Sequence, residues 1–87
     1  MISRTLKVRN TTGLHARPAG LFIETAKGFR SAIRVSKGGR AVDGTSVLGL
    51  MLLEITAGSE ITITAEGEDE QEALEVLCAL IEGGFGE

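Results

Sequence analysis

Polar and apolar residues alternate at the start of the chain and then change to a helical spacing. Over residues 2–9 the even positions are mostly apolar and the odd ones polar, a period of two that predicts a half-buried strand. Residues 10–13 have the composition of a turn. Beyond this turn, apolar positions recur three and four residues apart until Gly28, which predicts a helix over Ala16–Lys27.

The middle of the chain continues with a hairpin and a short helix. Residues 31–36 alternate again, and a Lys37-Gly38-Gly39 turn connects them to Arg40–Asp43, so the two segments predict antiparallel strands. Residues 46–54 are apolar on most sides. This pattern predicts a short helix that lies flat on the protein.

Alternation returns over Glu60–Glu66 and predicts a fourth strand. Residues 69–82 place apolar side chains at helical spacing, with acidic residues in the first turn where the helix dipole favours them, and predict a third helix. The predicted order is βαββαβα, in a single domain spanning residues 1–87. It indicates an α/β (α+β) open-faced sandwich, in which three helices cover one face of a four-stranded antiparallel sheet.

Charge is distributed unevenly along this pattern. All nine lysines and arginines lie at or before Arg40, so residues 1–40 carry a net charge of +8 and residues 41–87 a net charge of −11. A basic half suggests nucleic acid, but three Phe, no Trp or Tyr and a pI near 5.1 supply little for stacking on bases. We therefore expect an acidic protein or a phosphate group as the partner, and no nucleic acid.

Composition disfavours membrane and metal proteins. The longest apolar stretches are too short to span a bilayer and the first residues form no apolar signal core, so we expect a cytoplasmic protein without membrane insertion. One histidine and one cysteine do not make a typical zinc site, and we expect neither metal nor cofactor. Cys78 lies among apolar residues, which favours a small buried hydrophobe over a reactive thiol.

The only histidine, His15, stands where the first turn meets the first helix, in the segment GLHARPA at residues 13–19. The first amides of a helix lack intrahelical partners and carry partial positive charge, so they stabilise an anion. Pro18 in the first turn should hold the Ala16 and Arg17 amides in place, and the Arg17 guanidinium suits phosphate oxygens. A neutral imidazole is nucleophilic at cellular pH, so His15 is a candidate to accept a phosphoryl group. The alternative is a histidine that only caps the helix.

Three segments resemble the histidine-containing phosphocarrier proteins (HPr) of the bacterial phosphotransferase system. They are the segment around His15, AKGF at residues 26–29 and AEGEDE at residues 65–70, and the likeness covers the whole chain without a large gap. The resemblance implies a phosphocarrier and not an enzyme. His15 would accept a phosphoryl group through Nδ1 from phosphorylated Enzyme I and pass it to an Enzyme IIA. We expect the carrier to be a monomer.

Ser46 is a second candidate site, since it precedes the predicted second helix. A hydroxyl at that place ordinarily caps the helix. The resemblance adds another interpretation, because many family members are phosphorylated at the matching position by an HPr kinase/phosphorylase. A regulatory binding module controlled at Ser46 is therefore an alternative function. Residues 46–54 and the closing GGFGE look closer to the nitrogen-related branch of the family, which feeds a regulatory relay.

Partner docking is expected on a small apolar patch beside His15. The candidate docking residues are Leu14, Lys27, Val47, Leu48 and Met51. Core packing explains Leu50 and Leu53 better. Family members often carry lysines at the positions equivalent to Glu24, Thr45 and Gly49, none of which is basic here. The basic rim is accordingly reduced to Arg17 and Lys27, with Arg30 or Arg40.

Overall fold

In the computed structural model, which describes residues 1–86, four strands form one antiparallel sheet. The strands are β1 (Ile2–Lys7), β2 (Ala32–Lys37), β3 (Arg40–Asp43) and β4 (Glu60–Glu66). The helices are α1 (Ala16–Lys27), α2 (Val47–Leu52) and α3 (Glu70–Glu82), followed by a 3₁₀ turn at Gly84–Gly86. The βαββαβα order and the antiparallel pairing confirm the predicted open-faced sandwich.

The sheet order is β1-β4-β2-β3, so the last strand of the sequence lies between the first two. Lys7 at the end of β1 stands opposite Glu60 at the start of β4, and Ala32 of β2 stands opposite Glu66. The acidic half of the chain therefore supplies the strand between two strands of the basic half. Folding interleaves the charges that the sequence separates, and the sheet does not form one basic and one acidic side.

Side chains of β4 show how the sheet divides the protein into a covered face and an open face. Ile61, Ile63 and Ala65 are buried under the helices, whereas the alternate residues Thr62 and Thr64 are half-buried on the other face. Burying an aliphatic side chain of this size contributes about 1.5–3 kcal/mol. The period of two read from the sequence is thus the division between core and open face.

The helices complete the core through the apolar positions that the sequence predicts. α1 buries Phe22 and Ile23, and α3 buries Leu77 and Cys78 among others. Burial raises the pKa of the Cys78 thiol, which makes the thiolate scarcer and agrees with a small buried hydrophobe. Within residues 1–86, no helix is both long and apolar enough to cross a membrane.

A short turn that the sequence pattern does not predict follows α3. α3 ends at Glu82 with Gly83 as its C-cap, and the backbone then enters the 3₁₀ turn Gly84–Gly86, which buries Phe85 against the core. Phe85 adopts a left-handed conformation with φ 56°. Its aromatic ring explains the turn, since packing a Phe side chain outweighs the modest cost of that conformation.

Candidate functional site

His15 is the N-cap residue of α1. Its backbone is extended, with φ −127° and ψ 159°, and the residue is half-buried. Within the described part of the chain, its side chain makes no capping hydrogen bond. The imidazole is therefore not occupied as a helix cap, and its residue directly precedes the first amides of the helix, where an anion is stabilised.

The next residue, Ala16, has a left-handed backbone with φ 52°. For a residue with a Cβ, this conformation costs roughly 1–2 kcal/mol. Arg17 continues in the α1 helix. A left-handed residue followed by a right-handed one turns successive N–H groups into one concavity, which suits an anion. The sequence predicts that Pro18 orders these amides but gives no sign that Ala16 departs from helical geometry.

Arg17 is exposed, and its Nη1 donates a hydrogen bond of 3.5 Å to the carbonyl oxygen of Phe85. The contact brings the 3₁₀ turn Gly84–Gly86 beside the site. Sequence reasoning does not find this neighbour, because Arg17 and Phe85 lie 68 residues apart. A guanidinium carries five N–H donors, so one weak contact leaves the fork available to phosphate oxygens.

The loop before His15 is pressed against the segment that follows α2. Gly13 has φ 65°, and a Cβ placed on it would lie 2.2 Å from the carbonyl oxygen of Ile55. The Leu14 N–H donates to that oxygen at 3.1 Å. Leu14 is 0% exposed and belongs to the core. Its prediction as a docking residue is wrong, because the side chain is buried in the core and is not available to a partner.

The exposed apolar side chains of α2 form a patch, which we call the α2 patch, consisting of Val47, Leu48 and Leu52. Their exposed fractions are 60%, 70% and 54%. Met51 is half-buried, while Leu50 is buried as predicted. Leu52 is absent from the sequence prediction because a helix of six residues is too short to show a clear period. α2 packs against both α1 and β3, which places the patch next to the helix that carries His15.

Ser46 is the N-cap residue of α2. Its Oγ accepts a 3.0 Å hydrogen bond from the Gly49 N–H, which is ordinary capping geometry. The preceding turn is closed by Asp43, which accepts bonds from the Thr45 hydroxyl at 2.7 Å and the Thr45 N–H at 2.8 Å. These bonds, led by the hydroxyl, lower the pKa of Asp43. A regulatory role for Ser46 stays a prediction.

The basic residues expected around the site are dispersed, with Arg17 and Lys27 at the two ends of α1, Arg30 beyond it and Arg40 on β3. Lys27 is exposed in the last turn, about 16 Å along the helix from its start. Arg30 lies beyond that end and forms a 2.9 Å ion pair with Glu68. Arg17 is therefore the basic side chain nearest His15 along the helix, and Lys27 marks the far edge of any surface that follows α1.

Known proteins similar to this chain match it over nearly its whole length. A family model described as the phosphorylation site of the PTS HPr component matches residues 2–83. The HPr-like protein Crh of Bacillus subtilis is 46% identical over 82 residues, which are 94% of this chain and 96% of that protein. The phosphocarrier protein HPr of Cupriavidus necator is 41% identical over 87 residues, covering 100% of this chain and 98% of that protein.

Solved structures extend the likeness to three dimensions. An HPr from Thermoanaerobacter tengcongensis matches with a TM-score of 0.98 and 46% identity, covering 100% of this chain and 98% of that one. A structure described as a dimer of HPr from the same organism matches with a TM-score of 0.80 over 100% of both chains. The backbone that positions His15 is thus one that solved proteins share.

Proposed function

The chain belongs to the HPr family of the phosphotransferase system, and from that premise we propose that it carries a phosphoryl group on His15 between two partner proteins. The donor is phosphorylated Enzyme I and the acceptor is an Enzyme IIA. The observation that carries the proposal is the place of His15 at the start of α1, uncapped by its own side chain within residues 1–86. Ala16 and Arg17 follow it as the first residues of α1, and the Arg17 side chain is exposed.

The proposed reaction moves one phosphoryl group from phosphorylated Enzyme I to a ring nitrogen of His15, and later from that nitrogen to an Enzyme IIA. A neutral ring nitrogen of His15 forms a bond to phosphorus while the bond between phosphorus and the donor breaks. The transition state is loose, so positioning and charge stabilisation do most of the catalysis. The helix amides and Arg17 supply both for the phosphoryl oxygens. Only a few donors bind the phosphoryl group on His15, so it can be transferred onward. The chain thus acts as a covalent intermediate and does not turn over a small substrate.

The α2 patch and Arg17 form the proposed docking surface. An apolar centre flanked by an arginine is typical of protein interfaces, in which arginine is enriched and most other charged residues are depleted at the core. Lys27 extends the surface along α1 toward acidic partners. Each partner must bring its phosphoryl group to His15, so docking next to α1 fits both the donor and the acceptor.

We propose that the carrier acts as a monomer. One continuous core is closed by side chains of a single chain, from Leu6 on β1 to Phe85 in the 3₁₀ turn. A related HPr also occurs as a dimer. Sedimentation of the purified protein at micromolar concentration tests the proposal, and a dimer at that concentration contradicts it.

A two-step transfer assay tests the proposed function. Purified protein incubated with Enzyme I and phosphoenolpyruvate should gain acid-labile phosphate, and addition of an Enzyme IIA should remove it. His15→Ala is the matched control and should gain none. Absence of acid-labile phosphate on the wild type, or equal labelling of the control, contradicts the proposal. Discharge by a nitrogen-type Enzyme IIA but not by sugar-specific ones would place the carrier in the regulatory branch.

A regulatory binding module is the second candidate function, and Ser46 is the observation that favours it. Ser46 immediately precedes the α2 patch, and the chain is similar to the HPr-like protein Crh. A phosphate on Ser46 adds about two negative charges beside an apolar docking surface, which changes the partners that can bind there. Acid-stable phosphate on Ser46 after incubation with ATP and an HPr kinase, with none on His15, would favour this function over the carrier.

A further inference from the structure

The side chain of Asn10 fixes a peptide group next to His15. Asn10 is 3% exposed, and its Nδ2 donates a 2.8 Å hydrogen bond to the carbonyl oxygen of Gly13. That carbonyl shares a peptide group with the Leu14 N–H, which donates to the Ile55 oxygen at 3.1 Å. The Gly13–Leu14 peptide is therefore hydrogen-bonded at both ends. Its plane is set one residue before His15.

The turn around the Gly13–Leu14 peptide restricts its rotation, and the Asn10 hydrogen bond supplies the remaining restraint. The Gly13 N–H returns to the Asn10 carbonyl at 3.3 Å and closes the turn. Gly13 lies so close to the backbone of Ile55 and Thr56 that a Cβ would stand 2.7 Å from the Thr56 Cα. The peptide has the Ile55 backbone on one side and the Asn10 amide on the other. Loss of the amide would free the carbonyl end of its plane to rotate.

Among the described residues, the oxygen of the Asn10 amide, Oδ1, does not hold a neighbouring group in place. Within residues 1–86 its Oδ1 is buried without a hydrogen-bond partner, and an unpaired buried acceptor disfavours folding. Reversing the amide would bring Oδ1 against the Gly13 carbonyl, so the contacts fix its orientation. An apolar residue would fill the space without an unpaired acceptor. An amide at this position therefore contributes through its N–H donors, which hold the Gly13 carbonyl.

We propose that Asn10 is a positioning residue for phosphoryl transfer at His15, acting through the Gly13–Leu14 peptide. The inference rests on the proposed function and adds to it a residue that does not contact the phosphoryl group. Leu14 is anchored in the core and His15 follows it in extended conformation, so the plane of that peptide sets where the imidazole stands relative to the first amides of α1. In-line transfer is sensitive to displacements of this kind.

Asn10→Leu separates positioning from stability. Leucine has the same number and branching of side-chain heavy atoms, and it removes the unpaired Oδ1 together with the donors, so the two effects on stability oppose each other. In transfer from phosphorylated Enzyme I, the variant should lower kcat by about tenfold or more. KM should change by less than about twofold, because the α2 patch and Arg17 are untouched. Asn10→Ser restores a donor and should recover part of kcat.

Hydrogen exchange gives a readout that does not depend on transfer. Exchange of the Leu14 amide, bound to Ile55, should accelerate by about tenfold in Asn10→Leu. The Ile63 amide in the central strand β4 should stay as protected as in the wild type.

Asp69→Asn is the matched control. Asp69 accepts bonds from Arg30 and Ser31, which follow the far end of α1. Its loss should lower stability without changing kcat. The proposal is overturned if Asn10→Leu keeps the wild-type kcat, or if exchange of the Leu14 amide is unchanged. It is also overturned if both variants slow transfer in proportion to their loss of stability. If the wild type itself gains no phosphate, the proposed function fails; if it is phosphorylated and Asn10→Leu matches it, only the role of Asn10 fails.

Discussion

The hydroxyl of Ser31 donates a 2.6 Å hydrogen bond to Oδ1 of Asp69. The same carboxylate accepts the Ser31 N–H at 2.9 Å and the Arg30 N–H at 2.8 Å. These donors, led by the Ser31 hydroxyl, lower the pKa of Asp69 below its ordinary value of 3.8. The segment that follows α1 is thereby tied to the N-cap residue of α3.

This tie predicts a dependence of stability on pH. Because folding lowers the pKa of Asp69, its stabilisation is complete above the ordinary aspartate pKa and is lost as the pH falls through the lowered value. Asp69→Asn should lower the free energy of unfolding at neutral pH and should reduce the further loss below about pH 4. Urea unfolding at a series of pH values measures both. An acid dependence identical to that of the wild type would assign the effect to other carboxylates.

The backbone conformation of Glu54 predicts that glycine at this position stabilises the protein. It follows α2 in a left-handed conformation with φ 52°, and its carbonyl accepts a 2.7 Å bond from Lys37 Nζ. Glycine removes the strain of roughly 1–2 kcal/mol but enlarges the entropy of the unfolded chain. Glu54→Gly should therefore raise the free energy of unfolding by about 0.5 kcal/mol. Glu54→Ala keeps the strain and should gain nothing; equal gains would attribute the effect to the lost charge.

Leu48 in the α2 patch predicts where partners bind. It is 70% exposed, and Leu48→Asp places a charge in a surface that docking must desolvate. KM for transfer from Enzyme I should rise by about tenfold or more, with little change in stability. Val76→Asp is the control, since Val76 is an exposed apolar residue on α3, outside the patch. Equal effects of the two substitutions would contradict a docking role for the patch.

Substitutions of Arg17 should separate the effect of its positive charge on phosphoryl transfer from the effect of its planar shape. Arg17→Lys keeps the positive charge but loses the planar fork that meets two phosphate oxygens. Arg17→Ala should slow phosphoryl transfer by roughly 10–100-fold, and Arg17→Lys should slow it less. Rapid-quench measurements in both directions, to and from the carrier, give these rates. Unchanged rates in both directions for the alanine variant would remove the role assigned to Arg17.

Much of the fold is predictable because its elements are local. Apolar spacing and Gly28 place α1 at Ala16–Lys27, and alternation places β4 at Glu60–Glu66, at the bounds that the structure shows. Periodicity does not contain the sheet order. The insertion of β4 between β1 and β2 depends on contacts between distant strands, and this insertion mixes the charges that the sequence separates.

The candidate site is predictable in its chemistry but not in its surroundings. His15 and Arg17 follow from a helix start with suitable side chains. The buried state of Leu14 depends on Ile55, which lies 41 residues further along the chain, so an apolar residue beside His15 looks like a docking residue in the sequence. The left-handed Ala16 and the approach of Phe85 to Arg17 likewise depend on tertiary contacts.

Phosphorylation of His15 is tested most directly by locating the phosphate after incubation with Enzyme I and phosphoenolpyruvate. Phosphorus NMR combined with peptide mapping under neutral conditions distinguishes phosphohistidine from phosphoserine. We predict a near-stoichiometric, acid-labile phosphoryl group on His15 that is lost in His15→Ala and retained in Ser46→Ala. A wild-type protein that gains no acid-labile phosphate, or that carries it on a residue other than His15, would contradict the proposed carrier function.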